Sequence, residues 1–289
     1  YKISELDLSS WDTRKFSNKN DASLFYSWGS QQEQTVYYEP PYWDLNHKSF
    51  NNTANFVIKI TRNNGYWLDM TGITGATEIK LFNENNLPTE EILTDWGDGT
   101  QNSELTHTYS TAGNYIVVSN LQLGRHENTT VRPYLVQANI YYKTSLQYLF
   151  ESCAKLKTVT FADNFINILN QQGTQNFFRL FNGCSLLTDT NEEQWKKLKP
   201  NDMTQTFANC ASLITLDLEN FDTSEVKTLQ NTFLNCSALT EIKGIENFDV
   251  SNITSFNSTF KGCGIPTLNL SKWKFKDGTQ TERDCICQA

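Results

Sequence analysis

The feature that most constrains this chain is a tandem repeat within residues 202–275. A phenylalanine recurs at spacings of 26 and then 27 residues, and a cysteine follows each one three residues later. These pairs are Phe207 and Cys210, Phe233 and Cys236, and Phe260 and Cys263. A unit of this length cannot bury its apolar face alone, so successive units stack and share a core. The repeat therefore predicts a solenoid of stacked coils, with equivalent side chains aligned along the stack.

Each unit continues with apolar positions at fixed distances and then an aromatic residue. These positions are Leu213, Leu216 and Phe221, then Leu239, Ile242 and Phe248, then Ile265, Leu268 and Trp273. The segments TFANCASL (206–213) and LDLENFDTSEV (216–226) resemble the BspA-like leucine-rich repeats of bacterial and protist surface proteins. The resemblance implies a leucine-rich-repeat solenoid. Lys243 and Gly244 depart from the pattern at the usual Asp-Leu pair, and Pro266 interrupts the last unit.

Composition indicates a globular chain and limits its partners. The 289 residues are 38% hydrophobic and 13% aromatic, enough for one to three domains with a proper core. The net charge of −8 argues against nucleic acid or an anionic membrane surface as the main partner. No apolar run reaches the length of a membrane-spanning helix, so membrane insertion is not expected. The chain begins at Tyr1 without a signal-peptide pattern, and we interpret it as a mature or trimmed fragment whose signal or anchor lies elsewhere.

Five of the seven cysteines share one repeat position, which favours a column of small buried thiols over a disulfide framework. These five are Cys153, Cys184, Cys210, Cys236 and Cys263. Cys285 and Cys287 lie outside the pattern. They could pair with a neighbour such as Cys263 or remain free, and their Cys-x-Cys spacing alone is a weak metal signal.

The first fifty residues combine a repeat fragment with an aromatic segment. Residues 6–13 match 216–223, so an upstream solenoid has been removed or this half-unit docks as an edge strand. Large aromatics then crowd a short span, and Pro40-Pro41 excludes a helix there. They are Phe25, Tyr26, Trp28, Tyr37, Tyr38, Tyr42 and Trp43. The segment is either a stacking platform for a sugar or partner protein, or packing against the next domain.

Residues 51–143 predict a small β-domain, with strands at 56–60 and 79–82. The sequence DWGDGT (95–100), then HTY (107–109) and AGNYIVV (112–118), resembles the core motif of polycystic-kidney-disease-type (PKD-like) immunoglobulin sandwiches. Gly97 and Gly99 suit a tight hairpin because glycine accepts positive φ. We expect Trp96 to be buried between two sheets.

The solenoid is expected to occupy residues 144–289, and LFESCAKLKTV (149–159) is a good unit near its start. The next cysteine, Cys184, comes 31 residues later, which predicts an inserted loop. Residues 191–198 suit a short helix that Pro200 stops, and the charged residues 271–277 suit a capping coil. The predicted fold is mainly β with some short helices (α+β). It comprises an N-terminal segment (1–50), a PKD-like sandwich (51–143) and a BspA-type solenoid (144–289).

Signs of chemistry are sparse. The three histidines, His47, His107 and His126, have no metal-ligand spacing, and we expect His107 to make a structural hydrogen bond. Asp95 and Asp98 could bind calcium, although Asp98 suits capping its own turn better. We therefore predict no catalytic residue, no metal site and no cofactor.

The resemblances imply an extracellular or cell-surface bacterial protein that adheres to proteins or glycans of a host or another cell. The candidate contact residues are Tyr37, Tyr38, Tyr42, Trp43, Glu219, Glu225, Lys227 and Lys243. A structural or receptor-binding component, such as a phage decoration or fibre protein, is the alternative, and a homo-oligomer stays open. An enzyme would need a polar pocket at the domain junction with carboxylates such as Glu151 or Asp163, and the sequence gives no positive sign of one.

Overall fold

The computed structural model describes residues 5–7, 34–38, 56–60, 65–84, 86–123, 130–141 and 145–274. The chain divides into two compact units, Tyr1–Asn63 and Asn64–Ala289. Among the described residues the fold is mainly β with a few short helices, as the sequence predicts. No helix in these residues is long and apolar enough to cross a membrane.

The first unit contains a small parallel sheet. Its strands are β1 (Glu5–Asp7), β2 (Gln34–Tyr38) and β3 (Phe56–Ile60), in the spatial order β1-β2-β3. Leu6 pairs with Val36, and Val36 pairs with Ile58. The predicted strand at 56–60 thus forms, and it lies in this first unit. Part of the predicted N-terminal half-unit forms the outer strand β1.

The second unit opens with antiparallel sheets. Strands β4 (Tyr66–Ile73), β6 (Thr94–Asp95), β7 (Gln101–Asn102), β9 (Gly113–Ser119) and β10 (Leu135–Ile140) belong to one sheet. Strands β5 (Thr77–Lys80) and β8 (Thr106–Tyr109) form a separate pair. The strand predicted at 79–82 therefore begins and ends two residues earlier. A 3-10 turn at Thr89–Glu91 precedes β6.

The DWGDGT segment forms the hairpin between β6 and β7. Gly97 and Gly99 have φ values of 81° and 93°, and a Cβ on Gly97 would lie 2.5 Å from the carbonyl oxygen of Ile116. Trp96 is fully buried, and its indole Nε1 donates to Asn102 Oδ1 at 3.0 Å. The hydroxyl of Tyr109 donates to the Trp96 carbonyl at 2.7 Å. Glycine adopts positive φ without strain, and a side chain at position 97 would clash with Ile116. The hydrogen bond from Tyr109 connects the hairpin to β8.

The larger sheet continues into the repeat region. Strand β11 (Thr158–Phe161) adds to β10 in parallel, giving the order β11-β10-β4-β9-β6-β7. Val159 and Phe161 are buried together with Ala138 and Ile140 of β10. The sheet and the first coil therefore share one ladder and one core.

Within residues 145–274 the repeats form five stacked coils, which we number 1 to 5 by their central phenylalanines. These residues are Phe150, Phe181, Phe207, Phe233 and Phe260. Neighbouring rings stack with centroids 5.6–5.7 Å apart. Parallel pairing along the stack involves β12 (Gln175–Asn176) with β13 (Pro200–Asp202), and β14 (Thr215–Asp217) with β15 (Glu241–Lys243).

The backbone of each coil alternates its hydrogen bonds around the phenylalanine. In coil 3 the N–H groups of Gln205, Phe207 and Asn209 donate to coil 4, and the same three positions donate to the next coil at all four interfaces. The intervening N–H groups donate to carbonyls three residues earlier in their own coil. The positions two before and two after each phenylalanine have positive φ in every coil. This left-handed backbone is what directs successive N–H groups to different acceptors, and asparagine and glycine adopt it at low cost.

Besides the phenylalanines, a column of cysteines and a column of threonines fill the stack. The cysteine thiols of coils 2 to 5 each donate to the phenylalanine carbonyl of the preceding coil, at 2.9–3.2 Å. Buried threonines precede the phenylalanines of coils 3 to 5, and their hydroxyls lie near two carbonyls each. These polar groups satisfy carbonyls inside the core, which burial would otherwise penalise.

Two helices lie in the irregular part of the stack. Helix α1 (Asp163–Gln171) occupies the insertion predicted as a loop, and this prediction is wrong because Phe165, Ile166 and Leu169 bury one helix face. Helix α2 (Glu192–Trp195) is shorter than the predicted 191–198, and its Trp195 packs on Phe207 and Phe221. A 3-10 turn at Ile245–Asn247 follows β15.

Candidate interaction surface

The structure describes four of the eight predicted contact side chains. Glu219, Glu225, Lys227 and Lys243 are all exposed. Tyr37 and Tyr38 belong to β2, but only their backbone is described, and Tyr42 and Trp43 lie outside the described residues. The aromatic half of the predicted surface therefore stays a prediction.

Glu219 and Lys243 meet around Asp217. The Glu219 N–H donates to Asp217 Oδ1 at 3.1 Å, and Lys243 Nζ lies 3.7 Å from Asp217 Oδ2. Lys196 of coil 2 lies 3.7 Å from the same carboxylate. The Glu219 hydrogen bond, followed by the two lysines, lowers the pKa of Asp217. Lys243 occupies the position in coil 4 that Asp217 occupies in coil 3. Its positive charge therefore attracts the Asp217 carboxylate of the neighbouring coil, whereas an aspartate there would repel it.

Glu225 and Lys227 belong to another part of coil 3. There Lys199 Nζ forms an ion pair with Asp222 Oδ2 at 2.8 Å. Lys199 and the hydrogen bonds of Ser224 lower the pKa of Asp222 to about 2. Lys227 enters the ladder through its backbone, donating to Asn201 and accepting from Thr254. Among the described residues no hydrogen bond or ion pair joins Glu225 or Lys227 to Glu219 or Lys243.

Sequence reasoning missed a second cluster, which surrounds Arg179. The guanidinium lies over the rings of Phe178 and Tyr148, at 5.2 and 6.0 Å from their centroids. Its Nε donates to Gln205 Oε1 at 2.6 Å, and its Nη1 donates to Glu151 Oε1 at 3.1 Å. We call these five residues the Arg179 cluster.

The repeat register explains how this cluster forms. Tyr148, Arg179 and Gln205 hold the position two before the phenylalanine in coils 1 to 3, with φ values of 60°, 55° and 54°. The stack thus places side chains 31 and 26 residues apart beside one another. Aligning the coils on Phe150, Phe181 and Phe207 would have found this column from sequence.

The cluster holds a partly solvated cation in a fixed position. The Arg179 side chain is 38% exposed, whereas that of Glu151 is 12% exposed. A guanidinium has five N–H donors, and the described contacts occupy two of them. The remaining donors can bind a carboxylate or sugar hydroxyls, while the half-buried rings offer an apolar wall.

Asp95 and Asp98, the candidate calcium ligands, accept hydrogen bonds within and beside their own turn. Asp95 Oδ1 accepts from the Gly97 N–H at 2.9 Å, and Asp98 Oδ1 accepts from the Thr100 N–H at 3.0 Å. Asp98 Oδ2 lies 2.7 Å from His107 Nε2, whose ring stacks on Trp96. Within the described ranges no three His, Cys, Asp or Glu side chains lie close enough to hold a metal ion.

Comparison with known proteins yields a partial match to a protein family. Residues 175–285 match a protein family described as "Mycoplasma protein of unknown function, DUF285". The match begins at β12 and covers less than half of the chain, so the chain is similar to that family over this stretch. No curated protein and no solved structure matches the chain.

Proposed function

We propose that this chain is a non-enzymatic binding module of an extracellular or cell-surface bacterial protein. In this proposal the coils are a BspA-like leucine-rich-repeat solenoid, and the preceding sheets are a PKD-like immunoglobulin module. The 26- and 27-residue periods and the Phe and Cys columns support the first assignment. The buried Trp96 and its DWGDGT hairpin support the second. The similarity to a family described as Mycoplasma proteins supports a bacterial source.

The Arg179 cluster is the observation that carries the binding proposal. Glu151, Gln205 and two aromatic rings hold its guanidinium in a fixed orientation in the absence of a ligand. Binding to such a rigid surface loses little conformational entropy. A planar fork beside aromatic rings suits a ligand that combines a carboxylate with an apolar face. We infer that the ligand is an acidic glycan or an acidic segment of a surface protein.

An array of acidic and neutral glycans and of host surface proteins tests this proposal with the full chain. We expect binding to acidic members, and we expect Arg179→Lys to weaken it at least about tenfold, because lysine keeps the charge and loses the fork. The matched control is Lys227→Arg, an exposed cation outside the cluster. A second arm replaces Tyr42 and Trp43 by alanine to test the aromatic segment.

The possible results test the Arg179 site and the binding function separately. Unchanged affinity of Arg179→Lys for a bound acidic ligand would refute the Arg179 site and leave the binding function standing. Absence of binding to every glycan and protein on the array would count against the binding function itself.

A structural component that assembles through its coils, as in a phage decoration or fibre protein, is the second candidate. In coils 1 to 4 three N–H groups donate to the following coil, but those of Ser258, Phe260 and Gly262 in coil 5 have no acceptor among the described residues. A backbone edge whose N–H groups are without partners favours addition of another chain. Light scattering decides between the two: a stable trimer or larger assembly supports this candidate, and a monomer supports the binding module.

A further inference from the structure

The column of cysteines changes its environment at the last coil. Cys153, Cys184, Cys210 and Cys236 are buried, whereas Cys263 in coil 5 is half-buried. All five are free thiols in this structure. The column therefore approaches solvent at Cys263, and Cys236 lies directly behind it.

The backbones that carry Cys236 and Cys263 are adjacent. The Gly264 N–H donates to the carbonyl of Cys236 at 3.2 Å, and the rings of Phe233 and Phe260 stack at 5.6 Å. Hydrogen-bonded neighbouring strands lie about 4.8 Å apart. Disulfides span Cα separations of roughly 4.4–6.8 Å, so the two coils are close enough for a bridge.

The two side chains also contact each other. Each thiol donates to the phenylalanine carbonyl of its preceding coil, at 3.0 Å for Cys236 and 2.9 Å for Cys263. The neighbouring Cys236 thiol lowers the pKa of Cys263, and the neighbouring Cys263 thiol raises that of Cys236. Burial raises the pKa of Cys153 to about 12 and also raises those of Cys184 and Cys210. Among the five described cysteines, the thiolate, which is the nucleophile of thiol–disulfide exchange, therefore forms most readily at Cys263.

We propose that Cys236 and Cys263 are a reactive thiol pair that a small-molecule disulfide converts into a disulfide between coils 4 and 5. The Cys263 thiolate attacks one sulfur of the small disulfide, the S–S bond breaks, and one small thiol leaves. Cys236 then attacks the Cys263 sulfur of this mixed disulfide and expels the second small thiol. Two protein thiols are oxidised, the reagent is reduced to two thiols, and the two protein protons pass to them.

Titration of the full chain with oxidised glutathione, followed by peptide mapping in a mass spectrometer, tests the pair. We expect a cross-linked peptide joining Cys236 to Cys263, with a mass loss of about 2 Da from the protein. In Cys236→Ser we expect the reaction to stop at a stable glutathione adduct on Cys263. In Cys263→Ser we expect no bridge and no adduct at Cys236, because the buried thiol is not accessible. Circular dichroism verifies that both variants are folded.

Four outcomes would overturn the proposal. These are a persistent adduct on Cys263 when Cys236 is present, a bridge from Cys263 to Cys285 or Cys287, oxidation of Cys184 or Cys210 before Cys263, and no reaction of Cys263. Replacing Cys285 and Cys287 by serine provides the matched control and should leave the Cys236–Cys263 bridge unchanged.

Discussion

At the scale of single residues, the buried threonines show how a polar side chain stabilises the coil core. The Thr232 hydroxyl lies 2.9 Å from the Met203 carbonyl and 2.7 Å from the Leu229 carbonyl. Thr232→Val keeps the shape and removes the donor. We expect a loss of about 1 kcal/mol in the free energy of unfolding, the usual net contribution of one buried hydrogen bond. Urea denaturation measures it.

Thr240→Val is the matched control, because Thr240 is exposed and donates to the Ile214 carbonyl at 3.2 Å. Its effect should stay within roughly 0.5 kcal/mol, as for most surface substitutions. Equal losses in the two variants would show that the buried hydroxyl contributes nothing specific.

Asp222 links a single residue to the acid stability of the chain. Lys199 and Ser224 lower its folded pKa to about 2, below an unfolded value of about 3.9. Its stabilisation is therefore present above about pH 4 and is lost as the pH falls towards 2. We expect Asp222→Asn to flatten the dependence of the melting temperature on pH in this window, since Asn keeps the turn to Ser224 and loses the ion pair.

The control for this pH dependence is Glu241→Gln, an exposed carboxyl for which the described residues provide no ion pair. It should leave the slope of melting temperature against pH close to that of the natural chain. If Asp222→Asn also retains that slope, the Lys199 ion pair does not contribute to acid stability.

At the scale of elements, close packing between the residues that follow β14 and the turn after β15 depends on Gly244. Its φ is 77°, and a Cβ there would lie 2.8 Å from Glu219 Cα and from the Leu218 carbonyl oxygen. Gly244→Ala thus combines a strained backbone with a backbone clash, and we expect a loss of more than about 2 kcal/mol in the free energy of unfolding. Urea denaturation is again the measurement.

Substitution of Gly173, which follows α1, separates the cost of the strained backbone from the cost of the clash. Its φ is 89°, but nothing lies within 4 Å of a Cβ placed there. Gly173→Ala should cost only about 1 kcal/mol, the penalty for the left-handed backbone alone. Similar losses at both glycines would mean that the coils can separate to admit the methyl group.

Comparison of individual elements with the sequence shows which features could be predicted. The register of Phe207, Phe233 and Phe260, and the turn at Gly97 and Gly99, depend on local spacing and appear where expected. Helix α1 was missed because its apolar residues Phe165, Ile166 and Leu169 lie in an insertion that breaks the period. The Arg179 cluster was missed for another reason: Glu151 and Arg179 are 28 residues apart and meet only once the coils are stacked.

At the scale of the second unit, the ladder between β10 and β11 predicts that the sheets and the first coils unfold together. Strand β10 pairs with β4 on one side and with β11 on the other, and buried residues continue across both pairings. A stack in which each coil contacts only its neighbours normally frays from its ends. Here coil 1 is covered by the sheet, whereas coil 5 has three N–H groups without acceptors among the described residues.

Native-state hydrogen exchange in increasing urea tests this asymmetry, because it resolves the opening of separate segments. We expect amides of β9 and of coil 1, such as Val117 and Phe150, to exchange with the same opening free energy. Amides of coil 5, such as Thr259 and Cys263, should open at lower free energy. If coil 1 opened before β9, the shared ladder would not couple the two regions, and each would have to be treated as an independent folding unit.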